Sequence, residues 1–383
     1  MGKGLDTNIN EINGAIQENR GSKKRVIIKI VASLMVVGML IALGAFAYIN
    51  YMLGLVTYVD SDVKSSKQVD IIGEAKGKLP DKSIQKEDET IVDNVDTAED
   101  ETIVDTNEDV DNIELEVVGE VKIYNFLICG VEAIGGGRGR TDSILLGTLD
   151  AENKSIKLTS LMRDINVKID GHKDNKLNAS YSLGGMPLLV DTVQKNFGVK
   201  IEGYVVVNFD GFKDIIDALG GVEIELTKRE ADYLNRTNYI ADKKYRNVVE
   251  GIQTLNGEQA LGYSRVRYVK ASNGQSNDFG RTYRQRTVLQ SIFNKYKDKN
   301  IIELMGILPD ILKLLTTDLT KKDIINYVTL VLKMGIDDIE MNRIPSDSLY
   351  ENKKINNRSV LQIKDWEALR EELNIFIYGD NKG

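Results

Sequence analysis

The feature that most constrains this chain is an uncharged apolar run of 20 residues, Ile30 to Ile49. A helix of about that length spans about 30 Å, which matches the hydrocarbon core of a bilayer. Four basic residues lie just before the run: Lys23, Lys24, Arg25 and Lys29. The positive-inside rule therefore predicts a single-pass type II anchor in the cell membrane, with the amino terminus in the cytoplasm and the following chain extracytoplasmic.

Charge is distributed unevenly along the rest of the chain. Residues 60–120 carry 20 Asp and Glu against six Lys, a net charge of −14, whereas residues 121–383 have a net charge of +3. The acidic segment has no aromatic residue, and the sequence DETIVD occurs in it twice. This composition predicts a disordered stalk, because such a segment cannot bury a core. A flexible chain of that length has a root-mean-square reach of about 40–45 Å.

These patterns predict four segments. We expect a cytoplasmic tail at 1–29, a transmembrane anchor at 30–50, an acidic low-complexity stalk at 51–118 and one extracytoplasmic domain at 119–383. The triplet AFA that ends at Ala47 has the small residues of a signal-peptidase site. The length of the apolar run favours an uncleaved anchor, but the sequence leaves cleavage open.

The last segment alternates between two hydrophobic periodicities. Strand patterns occur at 123–131, 144–150, 155–162, 204–209 and 222–226. Helical patterns lie between and after them at 186–197, 211–219 (with Asp210 as a possible cap), 281–296 and 301–339. Strands interleaved with helices predict an α/β domain, here a three-layer α-β-α sandwich around a central mixed β-sheet.

Cysteine and histidine usage narrows the chemistry. The chain has one Cys and one His, so it can form neither an intramolecular disulfide nor a site of several histidines. Cys129 lies in an apolar run and is predicted to be a core residue, and His172 lies in a polar loop. Catalysis must therefore use carboxylates, arginines, hydroxyls or a metal held by oxygen ligands.

Residues 264–286 concentrate positive charge in an acidic chain. They hold five arginines: Arg265, Arg267, Arg281, Arg284 and Arg286. The apolar face of the helix predicted at 281–296 continues upstream onto Arg281, Arg284 and Gln285, which indicates planar donors on a core-facing stripe. Arg265 and Arg267 alternate and would share a face if extended. The pattern predicts a pocket for a multiply charged anion, with a salt-bridged surface that uses carboxylates such as Asp278 as the alternative.

Two further clusters place charge at the ends of predicted strands. The Gly-rich stretch GVEAIGGGRGRTDSI contains Glu132, Arg140 and Asp142, and its two carboxylates could hold one hard cation such as Mg²⁺. Arg163 and Asp164 follow the strand that ends in SLM. Ligands of α/β sheets bind beyond the carboxyl ends of strands, and this set of groups suits phosphoryl transfer.

Six blocks in order make residues 122–299 resemble the LytR-CpsA-Psr family. They are GRTDSI, SLMRDINVKI, KLNASYSLGG, VNFDGFKDIIDALGGVEI, LNGEQALGYSRVR and DFGRTYRQR. Members of this family are membrane-anchored extracytoplasmic proteins, mainly of Gram-positive bacteria. They attach teichoic acid, capsule or similar glycopolymers to peptidoglycan from a polyprenyl diphosphate carrier.

The resemblance implies roles for named residues. It implies that Asp142 is a ligand of Mg²⁺, or of Mn²⁺ in its place, with Glu132 as the second ligand. It makes Asp278 a candidate base near the site and keeps Arg163 and Asp164 in the catalytic set. It assigns the diphosphate to the following residues: Arg140, Arg163, Arg265, Arg267, Arg281 and Gln285. The family usually has Asp at the position of Glu132 and SIPRD in place of SLMRD, and the loop between Arg267 and Asp278 is long here.

The expected function is therefore a phosphotransferase for a polyprenyl-linked glycopolymer, with peptidoglycan as the acceptor. Two alternatives remain open: a polyprenyl diphosphate pyrophosphatase, and a non-catalytic wall-binding or regulatory protein. The lipid tail would need an apolar cavity, which we expect among the aliphatic residues of 183–226. A nucleic-acid partner is not expected, because the domain is only +3 and is predicted to lie outside the membrane.

Overall fold

The structure, a computed structural model, describes residues 47–59, 123–134, 137–299, 301–336 and 338–379. The predicted cytoplasmic tail, almost all of the predicted anchor and most of the predicted stalk lie outside these residues. Within the described part of the chain, no helix is long and apolar enough to cross a bilayer.

Nine helices and thirteen strands are found in the described ranges. The strands are β1 (Thr57–Tyr58), β2 (Ile123–Ile134), β3 (Gly137–Asp150), β4 (Ser155–Leu161), β5 (Asn166–Val167), β6 (Asn175–Lys176), β7 (Gly203–Asn208), β8 (Val222–Leu226), β9 (Gly251–Leu255), β10 (Thr316–Thr317), β11 (Ile339–Ile344), β12 (Tyr350–Ile355) and β13 (Arg358–Ile363). The helices are α1 (47–53), α2 (Leu177–Phe197), α3 (Phe209–Ala218), α4 (Lys228–Arg236), α5 (Gly257–Arg265), α6 (Asn277–Tyr296), α7 (Ile301–Leu312), α8 (Lys321–Met334) and α9 (Trp366–Tyr378).

One seven-stranded sheet organises the domain, in the order β1-β10-β7-β2-β3-β4-β11. Three neighbouring pairs are parallel and three are antiparallel, so the sheet is mixed, as predicted. The strands β2, β4 and β7 point the same way, and their carboxyl ends meet at one end of the sheet. Ligands of such sheets bind at that end.

Helices cover both faces of this sheet. On one face, Leu127, Leu146 and Leu161 pack in the same buried cluster as Leu189 of α2 and Leu373 of α9. Burying each of these leucines contributes about 1.5–3 kcal/mol to folding. On the other face, α8 packs on the sheet through aromatic contacts with β2, and α6 lies over β4 and β11. The α/β class with a central mixed sheet is therefore confirmed, and helices lie on both faces of that sheet.

Several element boundaries differ from the sequence predictions for local reasons. Helix α2 begins at Leu177, upstream of the predicted Met186, because two helical pieces join across Gly185, whose φ is 69°. Helix α3 is capped by Asn208, whose side chain accepts a hydrogen bond from the N–H of Gly211, so Asp210 is inside the helix. Strand β8 pairs only with β9, in a two-stranded antiparallel sheet separate from the main sheet.

The start of the predicted stalk also differs from the structure. Residues 51–59 pack on the domain, with Met52, Leu53 and Val56 buried and β1 paired to β10 as the edge strand of the sheet. The composition shift that defines the stalk begins only at residue 60, and the β-branched and aromatic residues before it can pair in a sheet. Because β1 runs antiparallel to β2, the chain leaves at residue 59 and returns at 123 at the same end of the sheet. That end is opposite the carboxyl end of β2.

Candidate active site

The carboxyl ends of β2 and β4 and the first turn of α6 bring charged side chains together. Asp142 is the extra residue of a β-bulge, because Gly130 pairs with Ser143 while Val131 pairs with Thr141. Such bulges redirect a side chain out of the regular strand alternation. Arg163 lies two residues after the end of β4. Its carbonyl oxygen accepts a hydrogen bond from the N–H of Asn178 at the start of α2.

Two carboxylates and two guanidiniums form the centre of the site. Asp142 Oδ1 accepts a 2.5 Å hydrogen bond from Arg163 Nη1 and lies 3.4 Å from Arg281 Nη1. Asp278 Oδ1 lies 2.7 Å from Arg281 Nη2 and 3.4 Å from Arg163 Nε. The side chains of both aspartates and Arg163 are only 13–15% exposed, and that of Arg281 is 2% exposed. Four charges are thus held largely out of water, which is costly unless each is well paired.

The pairing in this cluster is incomplete. Both carboxylate oxygens of Asp278, the Nε of Arg163, and Nε and Nη2 of Arg281 are buried without a hydrogen bond of good geometry to any described residue. The 2.7 Å contact between Arg281 and Asp278 is therefore ionic but poorly directed. Buried polar groups are normally satisfied, so this concentration of unsatisfied donors and acceptors indicates a site prepared for a polar ligand.

Burial changes the proton affinities at the centre of the site. It raises the pKa of Asp278 above the ordinary value, although Arg281 and Arg163 partly oppose this. It also lowers the pKa of the Arg281 guanidinium, although Asp278 opposes that change. Both directions mean that the charged forms are less stable here than in water, and an added ligand of suitable charge would offset that cost.

A cavity of about 100 Å³ opens onto this cluster, and its lining residues are Asp142, Tyr239, Arg265, Arg267, Tyr268 and Arg281. Arg265 packs over the ring of Phe209 at 4.7 Å, and its Nη2 donates to Glu132 Oε1 at 3.1 Å. The cavity walls therefore carry three guanidiniums. Arg265, Arg267 and Arg281 line the same pocket, as the sequence predicted.

The route by which Arg265 and Arg267 reach the pocket differs from the predicted one. The segment SRVRY is not an extended strand, because Arg265 is the last residue of α5 and Val266 is its C-cap. Arg267 follows in a loop, where its carbonyl oxygen accepts the N–H of Asn277 at the start of α6. The alternation of the two arginines along the sequence is thus not the reason that they share the pocket.

Arg284 has a structural role that the stripe pattern did not indicate. It is fully buried, and its Nε donates to Glu230 Oε1 at 2.8 Å; Glu230 is also fully buried. Its Nη1 and Nη2 donate at 2.9 Å to the carbonyl oxygens of Val266 and Val269. Arg284 therefore fixes the loop that carries Arg267 and Tyr268 and does not line the pocket itself.

The other predicted residues are placed around this centre. Arg140 is exposed and pairs across the hairpin with Glu132, and Asp164 forms a 3.1 Å salt bridge with Lys176. Gln285 is half-buried on α6 and does not line the cavity, and Arg286 points to Ser160 on β4. The roles of Arg140, Asp164 and Gln285 in catalysis or binding therefore stay predictions.

A metal would have to use the carboxylates near Asp142. Among the described residues, no group of three or more His, Cys, Asp or Glu side chains is placed to hold a metal. Glu132 and Asp142 are close enough that Asp142 adds to the effect of burial in raising the pKa of Glu132. Proteins usually bind Mg²⁺ through one or two carboxylates plus water and substrate phosphates, so these two side chains fit that chemistry.

A larger groove of about 790 Å³ runs along α6 between the two-stranded β8–β9 sheet and β11. Its lining includes Arg286 and Tyr283. None of the four residues of the central cluster lines it: Asp142, Asp278, Arg163 and Arg281. Size alone therefore does not identify the site, and the smaller cavity is the one lined by Asp142, Arg265, Arg267 and Arg281.

The chain is similar in sequence and in fold to known proteins. The LytR_cpsA_psr family matches residues 85–374, which is more than half of the chain. The chain is 35% identical over 239 residues to the polyisoprenyl-teichoic acid–peptidoglycan teichoic acid transferase TagU of Bacillus cereus, a match that covers 60% of this chain and 72% of TagU. It is 32% identical over 243 residues to the regulatory protein MsrR of Staphylococcus aureus, covering 62% and 70% of the two chains.

A further relative, the polyisoprenyl-teichoic acid–peptidoglycan teichoic acid transferase TagV of Bacillus subtilis, is 35% identical over 190 residues, or 48% of this chain. The match spans 46% of TagV, less than half of that relative. The crystal structure of TagV superimposes with a TM-score of 0.54 at 28% identity, covering 67% of this chain and 97% of that one. The crystal structure of protein gbs0355 from Streptococcus agalactiae gives a TM-score of 0.55 at 26% identity, covering 67% and 88%.

Proposed function

The chain belongs to the LytR-CpsA-Psr family, and on that premise we propose that it transfers a glycopolymer from a polyprenyl diphosphate carrier to peptidoglycan. The observation that carries the proposal is the buried and incompletely paired cluster of Arg163, Arg281, Asp142 and Asp278, open to a cavity with two more arginines. The polymer would be teichoic acid, capsule or a similar glycopolymer.

The diphosphate is the part of the donor that this cluster fits. The planar guanidinium of arginine can donate two parallel hydrogen bonds to phosphate oxygens, and each charge-assisted hydrogen bond contributes about 1.5–3 kcal/mol. Arg265, Arg267 and Arg281, which line the cavity, would supply donors from the α5–α6 side. Arg163 does not line the cavity and donates to Asp142, so it would reach the diphosphate only by exchanging that contact. Arg140 and Gln285 would join only through side-chain movements toward the diphosphate.

The proposed reaction is an in-line displacement at phosphorus. The oxygen of a peptidoglycan hydroxyl forms a new bond to the phosphorus that carries the saccharide. The bond between that phosphorus and the bridging oxygen breaks, and the polyprenyl monophosphate leaves with the electron pair. Arginines around the diphosphate stabilise the negative charge that shifts to the leaving group.

Asp278 is the candidate acceptor of the hydroxyl proton. Both of its oxygens lack a well-formed hydrogen bond to any described residue, but both are buried and Asp278 does not line the cavity, so the incoming hydroxyl would reach one only after the surrounding side chains move. Its raised pKa brings the carboxylate closer to the range in which a general base works at neutral pH. Arg163 and Arg281 hold this carboxylate in place by ionic contacts, while Asp164 would act at a distance through Arg163.

A divalent cation, Mg²⁺ or Mn²⁺, would be held by Asp142 and Glu132. When bound, it supplies positive charge that neutralises the diphosphate oxygens. Without the cation, Asp142 forms ion pairs with Arg163 and Arg281, and Glu132 forms an ion pair with Arg265.

The proposal includes the membrane and the lipid. We place the anchor at 30–50 and the domain outside the cell membrane, where both the carrier and peptidoglycan are found. The prenyl chain needs an apolar surface, and Val205 and Val207 on β7, an inner strand of the sheet, are only half-buried. They lie within the predicted range 183–226.

Turnover with and without an acceptor tests this function. The purified full-length protein is given a polyprenyl diphosphate saccharide with Mg²⁺, in the presence or absence of peptidoglycan. Acceptor-dependent release of polyprenyl monophosphate, with the saccharide phosphate joined to peptidoglycan, supports the transferase. Equal release into water without an acceptor would favour the pyrophosphatase, and binding without turnover would favour a wall-binding or regulatory protein.

A further inference from the structure

An aromatic wall stands beside the arginines of the candidate cavity. Tyr268 is 75% exposed, the highest value among the exposed large apolar and aromatic side chains of the described chain. It lines the cavity together with Tyr239, and the ring of Tyr233 packs against Tyr239 with centroids 5.6 Å apart. A large aromatic side chain left this exposed at the rim of a polar cavity is a candidate contact for a ligand.

The loop that presents Tyr268 is fixed on both sides. The carbonyl oxygens of Val266 and Val269 accept hydrogen bonds from the buried Arg284, and that of Arg267 accepts the N–H of Asn277. The tyrosine is thus exposed on an ordered backbone and is not part of a loose tip. A tyrosine on a rigid segment offers a large contact area at a small cost in conformational entropy.

The chemistry of this wall indicates which of the two groups attached to the diphosphate it would contact, the prenyl chain or the sugar. A prenyl chain requires an apolar surface, but Tyr239 and Tyr268 stand among Arg265 and Arg267 in a cavity open to solvent. A pyranose has an apolar C–H face that packs on an aromatic ring and hydroxyls that bond to polar groups around it. Burial, with Tyr233 and Tyr268 adding to it, raises the pKa of Tyr239 to about 12. The hydroxyl of Tyr239 already hydrogen-bonds to Tyr233, and its oxygen can accept a further hydrogen bond.

We propose that Tyr239 and Tyr268 form a saccharide subsite that receives the sugar ring attached to the donor diphosphate. This inference rests on the proposed function, because it takes the arginines of the same cavity as the diphosphate site. The sugar lies on the face of Tyr268, a hydroxyl of the ring donates to the hydroxyl oxygen of Tyr239, and the prenyl chain extends away from this wall. The subsite therefore fixes the direction in which the donor enters the cavity.

The test compares two ligands that differ only in the sugar. Affinities for a short-chain prenyl diphosphate and for the same prenyl diphosphate carrying N-acetylglucosamine are measured by titration calorimetry. We expect the sugar to increase affinity for the parent protein. Tyr268→Ala should weaken binding of the sugar-bearing ligand by about three- to tenfold and leave prenyl diphosphate within about twofold. Tyr268→Trp should retain the sugar contribution.

Tyr51→Ala is the matched control, because Tyr51 is another well-exposed tyrosine but lies in α1 and does not line the cavity. It should leave both affinities unchanged. If prenyl diphosphate itself does not bind to the parent protein, the proposed function fails and the subsite with it. If prenyl diphosphate binds but the sugar adds no affinity, or Tyr268→Ala weakens both ligands equally, only the subsite is refuted. An effect of Tyr268→Ala on peptidoglycan fragments alone would also overturn the assignment to the donor.

Discussion

Substitution of two arginines one helical turn apart on α6 should affect different properties of the protein, stability for one and ligand binding for the other. Arg281 and Arg284 are almost equally buried, at 2% and 0% side-chain exposure. Arg284 has a complete set of partners in Glu230 and two carbonyl oxygens, whereas two nitrogens of Arg281 have no well-formed hydrogen bond to a described residue. We therefore predict that Arg284→Met mainly reduces stability, and that Arg281→Met mainly reduces ligand binding.

The expected magnitudes follow from these contacts. Removing one partner of a buried ion pair costs about 3–5 kcal/mol, and each carbonyl left without its donor adds about 1 kcal/mol, without strict additivity. Glu230 keeps hydrogen bonds from the N–H and hydroxyl of Thr227, which moderates the loss. We expect Arg284→Met to lower the free energy of unfolding by about 4–6 kcal/mol, a large share of a typical total of about 5–15 kcal/mol. Arg281→Met should change it by less than about 1.5 kcal/mol, because Asp278 keeps Arg163 and a desolvated charge is removed.

The assay is urea unfolding followed by tryptophan fluorescence. Trp366 is the only tryptophan, and its ring packs edge-on to Phe197 in the core, with centroids 5.7 Å apart. Arg281→Met should unfold close to the parent midpoint and bind prenyl diphosphate at least about tenfold more weakly. Equal destabilisation by the two substitutions, or a stable Arg284→Met protein, would refute the distinction between a binding arginine and a structural one.

Three further predictions follow from the same contacts. Asp142→Ala should abolish Mg²⁺-dependent turnover and Glu132→Asp should retain it; normal activity of Asp142→Ala at low Mg²⁺ would rule out the metal assignment. The pKa of Asp278 is raised in the folded protein above its ordinary value of 3.8. The contribution of Asp278 to the free energy of unfolding is therefore greatest below pH 3.8 and falls as the pH rises through the pKa of the folded state. The stability of the parent protein minus that of Asp278→Asn should accordingly decrease from about pH 3 to pH 7, and an increase would contradict the burial argument. Cleavage at a protease site inserted within 60–118 should leave the domain bound to the amino-terminal fragment through β1; release should require Thr57→Pro, which removes the N–H that donates to Leu315.

The sequence predicted the parts of the fold that depend on local pattern. Apolar runs ended by Gly or charge located β2, β4 and β7, and the rule for strand ends placed Arg163 at the correct end of the sheet. It also predicted that Arg281 points inward from α6, because the apolar face of the helix continues onto that residue. The bulge at Asp142 had no clear signal beyond the glycines before it.

The parts that failed depend on partners distant in sequence. Glu230 lies 54 residues before Arg284, and nothing local marks that the capping carboxylate of α4 also reaches a buried arginine of α6. The alternation of Arg265 and Arg267 was too short to distinguish a strand from the end of a helix. The segment at 55–59 did carry a strand signal, but the acidic sequence after it led to its assignment to the stalk.

Binding of a prenyl diphosphate tests the central claim most directly, because the claim is that the buried arginines form a diphosphate site. Titration of the full-length protein with a short-chain prenyl diphosphate should show clear preference over the prenyl monophosphate. Arg265→Ala and Arg281→Ala should each weaken binding by about ten- to a hundredfold. Arg286→Ala, which removes an arginine that points to Ser160 and away from the cavity, should bind like the parent protein. If Arg265→Ala and Arg281→Ala bind as tightly as Arg286→Ala, the arginines form only a salt-bridged cluster and the account is contradicted.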